Sequence, residues 1–161
     1  MPNEYQQYLI ERFEEEVVGE SLFHSLSEHA ANSNRQQQWH TLAQLETETK
    51  EHIRAALRAM GVEVAEQRSS IERGQQLAKR FTCMPWREFM TVFRPSLENF
   101  VAEFTTAENM APEEGKQRAL LRHITLHEKA LLEFACREIE GRSDASLEPV
   151  VALLGAQLPD S

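Results

Sequence analysis

The amino-acid sequence predicts an all-α protein built as an antiparallel helical bundle. Apolar side chains recur at three- and four-residue steps over long stretches, which is typical of helices with one buried face. Only six glycines and six prolines punctuate the 161 residues, and no Asn-Gly or Asp-Gly dipeptide, the usual hairpin turn, occurs. The length fits one domain, 1–161, with a bundle over about 3–141 and a docking tail at 142–161.

The apolar pattern predicts four long helices and two shorter ones. The long helices are expected at about 3–29, 35–60, 84–110 and 112–140, and the shorter ones at about 70–81 and 146–154. Gly61 suits the end of the second helix, since glycine readily adopts a left-handed backbone, and Ser69 or Ser70 suits the start of the next. The tail residues expected to dock are Leu147, Val150, Val151 and Leu154. A long, helix-containing connection between the second and third long helices is typical of a four-helix bundle with a crossover.

Charge and composition disfavour several classes of partner. The chain carries 26 acidic and 17 basic residues, a formal net charge of −9, which opposes binding to nucleic acid or to an anionic membrane surface. Mean hydropathy is −0.51, and no apolar run approaches the roughly 20 residues that cross a bilayer. The first residues lack the basic and apolar regions of a signal peptide, so we expect a cytoplasmic protein. In that reducing compartment Cys83 and Cys136 are expected to be small packing residues, buried or half-buried, with a structural disulfide as the less favoured alternative.

Several carboxylates and imidazoles interrupt the apolar faces of the long helices. They are Glu16, Glu20, Glu46, His52, His123, His127 and Glu128. A buried carboxylate without a partner is strongly unfavourable, but carboxylates and imidazoles that meet inside a bundle can share a divalent metal ion. Glu20, His52 and His127 fall on three different helices, and we expect them to be the principal metal ligands.

The same side chains also have a purely structural interpretation. A carboxylate at the edge of an apolar face, such as Glu16, can reach water along its own stem. His52 or His127 can be satisfied by a hydrogen bond to Glu20 without any metal ion. The spacing of the residues leaves both interpretations open.

Three segments that contain these residues resemble the rubrerythrin branch of the ferritin-like superfamily. Val-Gly-Glu-Ser at 18–21 is similar to that family's first-helix Ala-Gly-Glu-Ser, and 46–52 to its second-helix segment ending in Glu-x-x-His. The segment 127–135 is similar to its fourth-helix His-Glu-Lys-Arg-Phe run. The order agrees over about residues 5–140. The resemblance implies a ferritin-like antiparallel four-helix bundle in which Glu20, His52 and His127 bind iron.

The chain departs from the family pattern at two carboxylates. The Glu of the second-helix motif falls on Thr49, and the Glu paired with the fourth-helix His falls on Ile124. For the third long helix, Glu98 is the closest local match, while Glu103 lies nearer the predicted middle. A C-terminal Cys-x-x-Cys module, which full rubrerythrins use for electron transfer, is missing from the sequence.

These departures predict a reduced site for one iron or manganese ion in place of a two-iron centre. Its expected donors, with Glu46 and Glu128 as substitute or supporting carboxylates, are Glu20, His52, His127, Glu46, Glu98 and Glu128. If such a site is active, the protein is a metal-dependent oxidoreductase that acts on oxygen or peroxide. A ferritin-like bundle that holds no metal is the open alternative.

Two other functions compete with metal binding. A metal-free bundle would act as a structural or interaction protein, and we expect it to form a homo-oligomer, in the simplest case a dimer. A small-molecule binder would use a space between helices, with His24 as the axial ligand if the molecule is haem. Nucleotide and serine-hydrolase chemistry have no support, since the sequence has no phosphate-binding glycine-rich loop and no Gly-x-Ser-x-Gly.

Overall fold

A computed structural model describes residues 1–159, most of which are helical. The helices are α1 (Glu4–Glu28), α2 (Ser33–Ala59), α3 (Arg68–Thr82), α4 (Trp86–Ala107), α5 (Lys116–Ile139) and α6 (Glu148–Val151). Short 3-10 helices lie at Glu108–Met110 and Ser143–Ala145. No residue in 1–159 lies in a β-strand, and the predicted all-α class is confirmed.

Asparagine side chains start the first two helices. The side-chain oxygen of Asn3 accepts the backbone N–H of Gln6 at 2.8 Å, and the Gln6 side chain accepts the Asn3 N–H at 3.0 Å. Asn32 accepts the backbone N–H of Arg35 at 2.9 Å. Such bonds satisfy N–H groups that have no partner inside the helix. Because Asn32 supplies this cap, α2 begins at Ser33, slightly before its predicted start.

The predicted N-cap of α3, Ser69 or Ser70, is wrong. The helix begins at Arg68, so that Ser69 and Ser70 lie within its first turn, and Gln67 before it makes no side-chain capping bond. The hydroxyl of Ser21 on α1 donates a 2.7 Å hydrogen bond to the carbonyl of Ile71. This contact fixes the beginning of α3 on α1, which the local sequence of α3 does not reveal.

Proline and glycine mark the limits of α4 and α5. The helix α4 begins at Trp86, two residues after its predicted start, so that Pro85 immediately precedes it, and it runs through Pro95 to Ala107. The predicted start of the last long helix at 112 is wrong, because α5 begins only at Lys116. Gly115 before it has a φ of 114°, a conformation that side-chain-bearing residues rarely adopt, and this residue separates the helix from the preceding loop.

The chain divides into two compact units, an N-terminal unit of residues 1–83 and a C-terminal unit from residue 84 onwards. In the N-terminal unit, α1 packs against both α2 and α3. Its core contains the apolar residues that the sequence places on the faces of the first two helices: Tyr5, Leu9, Phe13, Val17, Phe23, Leu26, Trp39, Leu42, Leu45, Ile53 and Leu57. The rings of Phe23 and Trp39 stack with their centroids 5.7 Å apart.

A glycine allows α3 to approach α1 closely. Gly74 is buried, and a Cβ atom there would lie 2.5 Å from the backbone oxygen of Val18 and 2.6 Å from the Cβ of Ser21. These neighbours belong to a helix backbone and a short side chain, so they cannot move aside easily. The packing of α3 on α1 therefore requires a residue without a side chain at position 74.

In the C-terminal unit, α5 packs against α4 and α6. The carboxylate of Glu138 on α5 accepts the indole N–H of Trp86 at 2.6 Å and the hydroxyl of Ser143 at 2.7 Å. Trp86 also lies edge-on to the ring of Phe134, with centroids 6.5 Å apart. These contacts join the start of α4, the end of α5 and the first turn of the tail.

The tail docks through fewer side chains than the sequence predicts. Val150 is fully buried, but Val151 is 54% exposed, so the prediction that both dock is wrong. Because α6 is a single turn and neighbouring residues on a helix point about 100° apart, only one of the two valines can face α5. Leu147 and Leu154 are partly buried.

We predict that Gly74→Ala destabilises the protein. Glycine to alanine in an exposed helix usually stabilises it by about 1 kcal/mol, but overpacking at this contact should cost about 1–3 kcal/mol. Urea unfolding followed by circular dichroism measures the change. Gln76→Ala, at an exposed position of the same helix, is the control and should stay close to the wild type. Wild-type stability of Gly74→Ala would contradict the close contact.

Candidate functional site

A buried lysine lies between two carboxylates in the N-terminal unit. The Lys50 side chain on α2 is only 6% exposed, and its Nζ lies 2.9 Å from both carboxylate oxygens of Glu20 on α1. The same nitrogen lies 2.9 Å from Oε1 of Glu66, in the connection between α2 and α3. The Thr47 hydroxyl donates a further hydrogen bond to Glu20. Glu20, which the sequence predicts as a metal ligand, is thus bound by an ammonium group and a hydroxyl.

Electrostatics keep Lys50 and Glu66 ionised at neutral pH. Burial disfavours the charged form of Lys50, but the hydrogen bonds and charges of Glu20 and Glu66 outweigh it and raise the pKa of the ammonium group. The hydrogen bond from Lys50 lowers the pKa of Glu66. Arg54 acts in the same direction, since one of its guanidinium nitrogens lies 3.4 Å from Glu66 Oε2.

A cleft with a volume of about 710 Å³ opens beside this group, within the N-terminal unit. Residues of α1, α2, α3 and the connection before α3 line it, and its size is typical of a small-molecule site. Most lining side chains are polar, and the ionisable ones are Glu20, Glu28, Glu66, His24 and His40.

His24, the predicted haem ligand of the small-molecule interpretation, lies in this cleft. Its Nε2 is 3.0 Å from a carboxylate oxygen of Glu28 one turn later, and both side chains are exposed. The ring therefore has a carboxylate partner in an open position on α1. Its role in haem binding stays a prediction.

Glu46 of α2 is buried against α1. A Cβ atom at Gly19 would lie 2.7 Å from the carboxylate carbon of Glu46, so the glycine provides the space that this carboxylate occupies. Glu16 on α1 is also buried, at 4% exposure, and His52 on α2 is partly buried. Thr49, which stands where the family has a carboxylate, is fully buried.

In the C-terminal unit, α5 buries an imidazole and a carboxylate side by side. His127 is completely buried and Glu128 is 9% exposed. A ring nitrogen of His127 and a carboxylate oxygen of Glu128 lie within 4.8 Å of each other. His123, one turn earlier on the same helix, is buried as well. These are donor types that iron, manganese and zinc accept.

The candidate carboxylates of α4 point to solvent. Glu98 is exposed, and it accepts a 2.8 Å hydrogen bond from Arg94 one turn earlier. Glu103 is exposed as well. Ile124 on α5, which replaces the other family carboxylate, is buried in the apolar core. Glu98 is thus placed less favourably for a buried metal site than Glu46, His127 or Glu128.

Lys50 and Glu66 are the residues of this candidate site that the sequence pattern did not single out. Lys50 follows Glu46 by four residues and precedes Ile53 by three, so it belongs to the inward row of α2. That spacing is the signal that could have identified it. Glu66 has no such signal, because it lies in a connection whose path depends on the packing of α3.

The two cysteines differ in their environment. Cys83 is exposed and Cys136 is partly buried, and both are free thiols. Burial raises the pKa of Cys136, so its thiol is less readily deprotonated than an exposed one. Cys136 therefore does not have the properties of an activated nucleophile.

Comparison with protein-family models, with curated proteins and with solved structures gives no match for this chain. The resemblance to the rubrerythrin branch therefore depends only on the residues quoted above. Among residues 1–159, none of the helices combines the length and the apolar character that a membrane span requires.

We predict that Glu66→Gln destabilises the protein at neutral pH but not in strong acid. The folded-state pKa of Glu66 is lowered, so its charge stabilises the fold above its unfolded pKa, near 4.3. That contribution, about 1 kcal/mol for a partly exposed pair, is lost as the pH falls through the folded-state pKa. Urea unfolding of variant and wild type at pH 7, 5 and 3 measures the difference.

Glu63→Gln provides the matched control, because Glu63 lies in the same connection but forms an exposed ion pair with Arg58. Its effect should be near zero at every pH. A Glu66→Gln effect that does not change between pH 7 and pH 3 would show that the charge of Glu66 contributes nothing.

Proposed function

We propose that this protein binds one divalent transition-metal ion, iron or manganese, through buried carboxylate and imidazole side chains. The observation that carries the proposal is the adjacent pair His127 and Glu128 on α5, which is almost completely withdrawn from water. A buried carboxylate requires a cation or hydrogen-bond donors nearby. A metal ion supplies the cation and also uses the lone pair of the neighbouring imidazole.

The predicted ligands do not fit this role equally. His127 and Glu128 in the C-terminal unit are buried and have suitable donor atoms, and Glu46 in the N-terminal unit is a buried carboxylate. Glu20 and Glu98 are each bound by a basic side chain, Lys50 and Arg94 respectively. We therefore propose His127 and Glu128 as the essential donors and regard Glu46 as a candidate to be tested separately.

We also propose a ferritin-like four-helix bundle formed by α1, α2, α4 and α5. Four long helices occur in the expected order, and the connection between the second and third contains α3, as the apolar pattern predicts. The proposal is consistent with α1 packing on α2 and with α4 packing on α5. Small-angle X-ray scattering of the whole chain tests it, because a four-helix bundle gives a single elongated particle of calculable dimensions.

A bound iron or manganese ion would supply the redox chemistry of an oxidoreductase acting on oxygen or peroxide. The residues of the chain would bind and orient the ion. The complete burial of His127 limits the access of water to its ring. The carboxylate of Glu128 would offset the positive charge at that position.

We predict that the purified protein retains close to one iron or manganese ion per chain after reconstitution and desalting. His127→Ala and Glu128→Gln should each lower the metal content strongly, because each removes a donor. Elemental analysis measures the content, and circular dichroism verifies that the variants are folded. His24→Ala, which removes an exposed imidazole, is the control and should retain the metal.

The test also separates the candidate donors of the two units. Loss of metal in Glu46→Gln would add a carboxylate of the N-terminal unit to the ligand set. A wild-type chain that holds no metal after reconstitution would refute the proposal. Full metal content in both His127→Ala and Glu128→Gln would equally exclude the pair on α5.

A second candidate function is self-association without a metal, for which the exposed apolar residues of α4 are the specific observation. Val92 is 50% exposed and Phe100 is 37% exposed, and the ring of Phe100 stacks on that of Phe104 at 5.7 Å. Large apolar side chains on the surface of a helix are common at contacts between protein copies. The proposed partner is a second copy of the same chain.

We predict that, if this second function is correct, the wild type sediments as a dimer of the 18.5 kDa chain. Combining Val92→Ser with Phe100→Ser should shift the equilibrium to the monomer, because the apolar contact is lost. Analytical ultracentrifugation over a range of concentrations measures both. Thr106→Ala, an exposed change on the same helix, is the control. A monomeric wild type would exclude this function.

A further inference from the structure

The ammonium group of Lys50 occupies a position that resembles a cation-binding site. Three carboxylate oxygens lie 2.9 Å from Nζ, namely both oxygens of Glu20 and Oε1 of Glu66. A lysine ammonium has three N–H donors, so each donor can have its own acceptor. The oxygens come from α1 and from the connection before α3, while the cation comes from α2.

Burial makes an unpaired charge at this position energetically unfavourable. The Lys50 side chain is 6% exposed and that of Glu20 is 26% exposed. A charge withdrawn from water is tolerated only when it is paired and hydrogen-bonded, and removing one partner leaves the others uncompensated. Without Lys50, the two partly exposed carboxylates would lose the ammonium group that offsets their charges at this position.

The surrounding contacts hold the carboxylates in place independently of Lys50. The Thr47 hydroxyl donates to Glu20. A guanidinium nitrogen of Arg54 lies 3.4 Å from Oε2 of Glu66. The other carboxylate oxygen, Oε1, is directed at Lys50. Glu20 and Glu66 also line the 710 Å³ cleft, so an ion from solvent has a route to the space between them.

We infer that Lys50 is a built-in cation: its ammonium fills the position between Glu20 and Glu66 that a divalent metal ion would occupy. The native protein therefore does not use Glu20 as a metal ligand. Shortening Lys50 converts the same carboxylates into a divalent-cation site. This inference does not depend on metal binding at His127 and Glu128.

Manganese titration of the full chain tests the inference. Lys50→Ala should unfold at a lower temperature than the wild type without added metal. It should also bind one Mn²⁺ per chain more than the wild type does, measured by the electron paramagnetic resonance of free Mn²⁺. Added Mn²⁺ should raise the unfolding temperature of Lys50→Ala more than that of the wild type.

Two further variants show whether the additional ion binds through Glu20. The double variant Glu20→Gln with Lys50→Ala should lose the additional ion, with at least about tenfold weaker binding. Glu20→Gln alone, in a chain that keeps Lys50, should leave the metal content unchanged. A lower metal content in Glu20→Gln, or no additional Mn²⁺ in Lys50→Ala relative to the double variant, would overturn the inference.

The outcomes also separate this inference from the proposed function. The proposed function is refuted by a wild-type protein that holds no metal. The inference is judged by the differences in Mn²⁺ binding among the wild type, Lys50→Ala, Glu20→Gln and the double variant, whatever the metal content of the wild type. If Lys50→Ala folds only when Mn²⁺ is present, that result supports the inference. If Lys50→Ala does not fold with Mn²⁺ either, the inference is tested by the metal content of Glu20→Gln, the variant that keeps Lys50.

Discussion

The ammonium of Lys50 lies between carboxylates that belong to two other segments of the N-terminal unit, and the path of the connection between α2 and α3 depends on this contact. Glu20 belongs to α1, Lys50 to α2 and Glu66 to the connection before α3, so one cation joins three parts of the chain. The apolar core and the close approach at Gly74 bring α1, α2 and α3 together. Neither specifies the path of the connection, because its apolar residues Val62 and Val64 are only partly buried. The ion pair does specify it, since Glu66 must reach a buried nitrogen.

Much of the fold could be predicted because its determinants are local. The apolar faces of α1 and α2 follow from their three- and four-residue spacing, and residues such as Phe13 and Leu42 are buried as predicted. Asn3 marks the first helix start, and Gly61, with a φ of 79°, follows the end of α2. The wrong predictions of helix starts occur where contacts between helices, and not the local sequence, determine the structure. Ser70 looks like an N-cap but lies within α3, because α1 fixes an earlier start.

The candidate site could be predicted only in part, because a helical pattern identifies a face but not the partner opposite it. Glu46 and His127 lie inward, as their neighbours on the apolar faces suggest. Glu98 has a similar local context, but it lies on an exposed face of α4 and pairs there with Arg94. Glu20 lies on the side of α1 that contacts α2, yet its hydrogen-bond partner there is Lys50. The family resemblance does not identify Lys50 as a site residue. The identity of that partner depends on tertiary packing.

Inward carboxylates in a helical protein indicate that a positive charge or several hydrogen-bond donors are close, but they do not identify the cation. The same physical requirement is met by a metal ion or by a lysine, because both offset the free energy of removing the carboxylate from water. The two cases differ in what the neighbouring residues supply. A lysine on an adjacent helix can supply the positive charge, as Lys50 does for Glu20. An imidazole beside a carboxylate, as at His127 and Glu128, adds a lone pair that an ammonium cannot use but a transition metal can. A buried glutamate should therefore be assigned to a metal only after lysines on the facing helix have been considered.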